Sequence, residues 1–404
     1  MAVRIGVVGA GSFAQCFIPL FQAHPLVEDV ALCDLDRRKL NDVGDRFGIQ
    51  RRFESLEDLM HSDVTAAAII TQNWLHAPQA IQCLNAGKDV YSAVPAGITV
   101  AEIQELVSSV ERTGLIYMMG ETSYYSPYAV YARRRLAEGA FGDIVYCEGE
   151  YLHDFDHGLY EVYQSRAGER WLEEAGIPPM YYPTHAIGMV MSITGSYPVS
   201  VSCLGWTDRS EDGVFKPDAN RYANAFSDET ALYRMSDGSI MRHNEFRRIG
   251  HVGAERCSIY GTLGCLEVSA KGPVWTSKHE VVDLSDELAC AGIPVDPAER
   301  DKPNVPSERR YLDTCLAHDV DRLPKEFAGL PNGHGGSHQF LVDDFVKACE
   351  TRVQPPVNVW QAARYTIPGI IAHESAVKGG VLLGIPDCGN PLKQASASRR
   401  RPHA

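Results

Sequence analysis

The chain has 404 residues, 45% of them hydrophobic, and a formal charge of −14 at pH 7. That length can bury enough core for two domains, and the negative balance argues against nucleic acid or an anionic membrane as partner. No stretch approaches the roughly 18 apolar residues of a membrane span. The 11 cysteines are scattered without a C-x-x-C pair, and no leader precedes the first strand, so a reducing cytoplasm with no disulfides and no metal site is expected.

The opening run Ile5-Gly-Val-Val-Gly9-Ala-Gly11-Ser12-Phe13-Ala14 reads as a buried parallel strand feeding a glycine-rich turn and then a helix. Gly9 and Gly11 permit a tight turn and close approach to a pyrophosphate. The free N–H groups of the following helix face the phosphates, and Ala14 lets that helix pack closely. A second strand ends at Asp34, placed to accept the adenosine ribose hydroxyls. Asp34 favours NAD, while Arg37 and Arg38 leave NADP open. A helix over 38–47, a short strand and an acidic helix over 55–60 follow. Strands over 64–70, 89–91 and 115–119 then alternate with helices over 76–86 and 99–113. This alternation predicts a doubly wound parallel sheet over 1–120.

From residue 143 the texture changes. Residues 144–153, 229–235, 239–246 and 256–260 alternate apolar and polar, which predicts an antiparallel sheet with one covered face. The second domain is therefore an α/β unit over 121–390 with a large, open, mainly antiparallel sheet, an α+β arrangement. A Pro- and Asp-rich segment over 292–308 reads as a loop. Residues 340–381 read as helical, packing back on the first domain, and 391–404 as a disordered tail.

Thr71-Gln-Asn73-x-x-His76, followed by Ala86-Gly87-Lys88 and a strand, resembles the Gfo/Idh/MocA family of NAD(P)-dependent oxidoreductases over nearly the whole chain. The resemblance implies a Rossmann domain and an open α/β domain, with Thr71, Asn73 and His76 beside the nicotinamide half of the cofactor. Family dehydrogenases carry E-K-P after the fifth strand, and that lysine handles the reacting hydroxyl. Here the turn reads Ala93-Val94-Pro95, so the usual acid/base group is absent.

Further segments are Glu121 ahead of Tyr124 and Tyr125, Glu148-Gly-Glu-Tyr151-Leu-His153-Asp154, Tyr181-Tyr182-Pro183-Thr184-His185 and Asn332-Gly-His334-Gly-Gly-Ser-His338. Together they resemble the NAD-dependent glycosidase branch of that superfamily, the α-N-acetylgalactosaminidases. Two departures stand out: Thr122 where Asn is usual, and Ser337-His338 where Met-Asp is usual in the substrate pocket. By this resemblance NAD⁺ takes hydride from C3 of a sugar, the C2 proton is removed, the C1 substituent leaves, water adds, and C3 is reduced again. Such chemistry needs two proton-transfer groups near opposite ends of one ring.

The resemblance gives the C3 hydroxyl to His185, C2 to Tyr151, and the leaving oxygen or the orientation of the base to Glu121. Substrate contacts fall to Tyr124, His153, Asp154, Tyr182, His334 and His338. Cofactor contacts fall to Gly9, Gly11, Ser12, Phe13, Asp34, Arg38, Thr71, Asn73, His76, Val94 and Pro95. Histidine exchanges protons near neutrality, whereas tyrosine needs activation by a neighbour. Three readings stay open: a redox-neutral glycosidase, a sugar or polyol dehydrogenase in which His185 replaces the lysine, and an inert dinucleotide-binding protein. A carbohydrate or glycoside is the expected small-molecule partner. The open sheet face predicts a homodimer or homotetramer.

Overall fold

The computed structural model describes residues 3–290 and 311–389. The loop expected at 292–308 and the tail expected at 391–404 lie outside the described residues. The first part alternates β1 (Val3–Val8), α1 (Ser12–Ala23), β2 (Val27–Cys33), α2 (Arg37–Arg46), β3 (Arg52–Phe53) and α3 (Leu56–His61). It continues with β4 (Ala66–Ile69), α4 (His76–Asn85), β5 (Asp89–Ser92), α5 (Val100–Thr113) and β6 (Tyr117–Met119). All the strands run parallel in the order β3-β2-β1-β4-β5-β6. Ile5 and Val7 enter one hydrophobic cluster while Val8, Ala67 and Ile69 enter another. Both faces are therefore covered, which is why these strands read as near-continuous apolar runs. α5 begins at a capping box of Thr99 and Glu102 and stops at Gly114, the start and stop chemistry a free-standing helix needs.

The second part contains α6 (Pro127–Ala137), β7 (Ile144–Leu152), α7 (Leu159–Ala167), α8 (Trp171–Ala175), α9 (Thr184–Thr194), β8 (Pro198–Thr207) and β9 (Phe226–Met235). Then come β10 (Ile240–Phe246), β11 (Ala254–Gly261), β12 (Gly264–Ser269), β13 (Gly272–Ser277), β14 (Val281–Asp283) and α10 (Ser285–Leu288). The described chain closes with α11 (Ser337–Thr351), α12 (Val359–Val377) and β15 (Leu383–Gly384). Nine strands form one sheet in the order β14-β13-β12-β11-β7-β10-β9-β8-β15. The mainly antiparallel sheet is borne out, with one departure: β7 and β10 pair in parallel. That pairing joins strands far apart in sequence, and local alternation carries no trace of it.

The helical region expected at 340–381 is broken between α11 and α12. Pro355 and Pro356 cannot continue a helix, and Asn358 caps the new one by accepting from the Gln361 N–H. Phe340, Leu341 and Phe345 of α11 enter the same hydrophobic cluster as Ile5 and Phe17, so this helix lies on the parallel sheet beside α1. No described helix is long and apolar enough to cross a membrane.

Candidate active site

The glycine-rich turn comes first. Gly9 has φ +101°, and a Cβ there would lie 2.3 Å from the Ile70 carbonyl oxygen, so only glycine fits. Gly11 caps α1 with no side-chain hydrogen bond, and a Cβ built on it meets nothing within 4 Å. The first N–H groups of α1, with Ser12 and Phe13, therefore border open space, as anion binding at a helix N-terminus requires. Asp34 is fixed by accepting from the Ala10 N–H at 2.7 Å and the Asp36 N–H at 2.8 Å. Arg38 is exposed in the first turn of α2.

Beyond β4, Thr71 Oγ1 donates to Gln79 Oε1 at 2.6 Å. Asn73 is buried with its Oδ1 unpartnered among the described residues, an unmet acceptor that a ligand N–H would satisfy. His76 Nδ1 lies 2.9 Å from the Pro95 carbonyl and Nε2 3.2 Å from the Thr71 carbonyl, and the single N–H of the neutral ring donates to the nearer, Pro95. Burial pulls its pKa down to about 4. The neutral ring ties the turn after β4 to the turn holding Val94 and Pro95. An uncapped helix N-terminus, an anchored carboxylate and an orphaned amide oxygen together fit a dinucleotide.

The second half of the site is built on a transverse row of the nine-stranded sheet. Pair register aligns Glu255 of β11 with Tyr151 of β7, Tyr151 with Glu245 of β10, and Glu245 with Glu229 of β9. α9 packs on this face, and a Cβ on Gly149 would lie 2.9 Å from the Ala186 carbonyl oxygen. Glycine at 149 lets α9 approach β7 and brings the His185 ring 5.0 Å from that of Tyr151. His185 Nδ1 lies 2.7 Å from Glu121 Oε1, 3.2 Å from Ser123 Oγ and 3.9 Å from Glu255 Oε2. Glu121 is fully buried and also accepts from the Ser123 N–H at 2.8 Å.

Burial alone would lower the His185 pKa, but the Glu121 and Glu255 carboxylates outweigh it and raise it to about 9. The same pairing outweighs burial on Glu121 and holds its pKa below the ordinary value. At neutral pH the two form a buried imidazolium–carboxylate pair, with Nδ1–H donating to Glu121.

A second pair stands beside the first. His153 Nε2 contacts the His157 carbonyl at 3.2 Å, which assigns the ring proton to Nε2, so Tyr151 Oη donates to His153 Nδ1 at 2.7 Å. Burial holds His153 below its usual pKa and pushes Tyr151 well above. The Arg247 guanidinium lies 4.9 Å over the Tyr151 ring and is itself held by Glu245 at 2.9 Å.

A cavity of about 900 Å³ opens on this arrangement, with Tyr151, His153, Glu255 and His334 in its wall. His185 and Glu121 sit just beneath the Tyr151–Glu255 edge. His334 Nδ1 lies 2.9 Å from His338 Nε2, and both rings pack against Phe13 of α1, at 5.6 and 5.7 Å between centroids. Burial, the first cause for each, lowers both histidines, His338 to about 3. This neutral pair joins the cavity to the helix of the glycine-rich turn.

Tyr182 packs 5.2 Å from the His185 ring. Tyr124 lies under the Arg133 guanidinium at 4.5 Å. Asp154 commits both oxygens to backbone, accepting from Ile249 N–H at 2.7 Å and Asp156 N–H at 2.9 Å, so it holds a loop behind the cavity. Glu255, Ser123 and Arg247 were not singled out by sequence reasoning. Strand register brings Glu255 to Tyr151, Arg247 follows the end of β10, and Ser123 lies on the short turn Thr122–Tyr125 after Glu121.

Residues 3–121 match the family described as oxidoreductase family, NAD-binding Rossmann fold. A glycosyl hydrolase family 109 protein of Saccharopolyspora erythraea is 24% identical over 407 residues, spanning 95% of this chain and 83% of its own. An alpha-N-acetylgalactosaminidase of Bacteroides fragilis is 33% identical over 192 residues, 43% of this chain and 44% of its own. Levoglucosan dehydrogenase, solved with NADH and levoglucosan, superposes at TM-score 0.71 with 17% identity, covering 95% of this chain and 100% of that one; at that identity the likeness is one of fold.

Proposed function

Because residues 3–121 match the NAD-binding Rossmann oxidoreductase family, we propose that this NAD-dependent enzyme is a glycoside hydrolase acting through transient oxidation of its sugar. The observation that carries the reading is the presence of two separate proton-handling pairs, His185–Glu121 and Tyr151–His153, with ring centroids of His185 and Tyr151 5.0 Å apart. Oxidation of one hydroxyl needs a single such group. Removal of a neighbouring C–H proton needs a second. The similarity to glycosyl hydrolase family 109 proteins along nearly the whole chain supports the same choice.

The cofactor is to be held by the N–H groups after Gly9 and Gly11, by Asp34 at the ribose and by Asn73. When bound, NAD supplies reversible hydride removal from a sugar carbon, which acidifies the adjacent C–H. In the neutral form of the ring, His185 Nε2, which has no hydrogen-bond partner among the described residues, takes the hydroxyl proton and later returns it, while Glu121 holds Nδ1–H and fixes the ring. Tyr151 Oη accepts the C–H proton as its own proton passes to His153 Nδ1. That relay avoids a free phenolate, which burial disfavours. His334 meets the sugar from the cavity wall while Tyr182 packs on the His185 ring, and Val94 leaves the turn after β5 without a proton carrier.

A dehydrogenase reading has one observation in its favour: His185–Glu121 alone suffices for hydroxyl oxidation. Incubation with a panel of aryl glycosides, following phenol release and absorbance at 340 nm together, separates the two. Phenol without net NADH is expected; NADH in proportion to sugar consumed favours the dehydrogenase. We assign the enzyme to the cytoplasm, in keeping with 11 free cysteines, and to a homo-oligomer joined through the outer face of the nine-stranded sheet.

A further inference from the structure

We propose that Glu255 is a positioning and specificity-determining residue: it holds His185 through Ser123, meets the substrate from the cavity wall, and makes the site reject anionic sugars. This rests on the glycosidase reading for its substrate arm alone. The geometry has three parts. Glu255 Oε2 accepts from Ser123 Oγ at 3.0 Å, and the same Oγ lies 3.2 Å from His185 Nδ1. Glu255 Oε1 has no hydrogen-bond partner among the described residues, and the side chain is 29% exposed, whereas Glu121 is fully buried. Of the two carboxylates nearest His185, only Glu255 lines the cavity. Finally, Glu255 is the one carboxylate among the described residues of the wall, and no described lysine or arginine lines it.

A carboxylate with one unpaired oxygen in that wall favours hydroxyl, amide or ammonium donors and repels a carboxylate or phosphate on the sugar. A bound donor on Oε1 also competes with His185 for the same charge, so occupancy of the cavity is felt at the imidazole. The other groups facing this pair are Glu121 from the turn after β6, Glu245 and Arg247 from β10 and its end, Tyr151 from β7, Tyr182 ahead of α9, and His334 from the loop before α11. None of these is altered by changing Glu255 to glutamine, which keeps size and shape.

The test uses the full chain loaded with NAD, in three forms: unaltered, Glu255→Gln and Glu255→Asp. Titration of His185 followed by NMR should move down by about one pH unit in Glu255→Gln and recover in part in Glu255→Asp. An unmoved titration with a folded spectrum overturns the positioning role. The second arm compares the aryl glycoside that the enzyme cleaves with its 6-carboxylate counterpart. Discrimination against the uronide should be on the order of 100-fold in the unaltered enzyme and should shrink at least tenfold in Glu255→Gln. Equal discrimination in both overturns the specificity role. If no glycoside is cleaved while the His185 titration still shifts, the glycosidase reading falls and the positioning role stands.

Discussion

His185 keeps its proton in a buried place because Glu121, at 2.7 Å, and Glu255 outweigh the cost of desolvation. This has a kinetic sign. Oxidation of a hydroxyl needs His185 neutral, and the free enzyme holds it protonated up to about pH 9. A profile of kcat/KM against pH, which reports the free enzyme, should rise with pH through a midpoint near 9 and level off above it. Glu121→Gln removes the larger attraction and should move that limb to lower pH. The two proton pairs also separate by substitution. His185→Ala should cut both hydride transfer and cleavage by about 10²–10⁴-fold, since both wait on oxidation. Tyr151→Phe should leave oxidation running, so enzyme-bound NADH accumulates while phenol release stops; single-turnover absorbance at 340 nm reads this directly. Glu121, Tyr151 and His185 were legible because each sits in a short motif. His153 was legible as a residue of the cavity wall, whereas its contact with the Tyr151 phenol was not, because the tautomer that makes it an acceptor depends on the His157 carbonyl.

The elements of the parallel sheet announce themselves, since a strand covered on both faces is apolar at nearly every position, as at Ile5, Val7 and Val8. The nine-stranded sheet is harder to read. β7, β9, β10 and β11 alternate clearly, whereas β8 mixes small, polar and aromatic residues in Pro-Val-Ser-Val-Ser-Cys-Leu-Gly-Trp-Thr. β12, β13 and β14 are only six, six and three residues long, too short for alternation to stand out. The site depends on the register between β10, β7 and β11, a long-range property that no local pattern encodes. Gly11 gives a test at this scale. Its absent side chain is not needed by the fold, because a Cβ there meets nothing, so Gly11→Val should fold and melt much as the unaltered protein does. Calorimetry should nevertheless show NAD affinity reduced at least tenfold, because the valine fills the open space at the N-terminus of α1. Unchanged affinity would remove the glycine-rich turn from the cofactor site.

For the molecule as a whole, one face of the nine-stranded sheet carries α9 and α12, and the other is left with Leu204, Trp206, Leu232 and Ile240 at 65, 55, 53 and 49% exposure. Apolar side chains clustered on one sheet face mark an interface, so light scattering at micromolar concentration should give the mass of a dimer or tetramer. Leu232→Glu should shift it toward the monomer, and a monomeric mass in the unaltered protein would refute the expected assembly. In the proposed function, one cavity joins reversible oxidation to proton removal at the neighbouring carbon. Turnover of a cleavable aryl glycoside in deuterated water, with the product sugar analysed by NMR and NADH followed alongside, tests it most directly. Deuterium at C2 of the released sugar and no net NADH are expected. Product without deuterium at C2, formed together with stoichiometric NADH, would contradict that function and leave a dehydrogenase in its place.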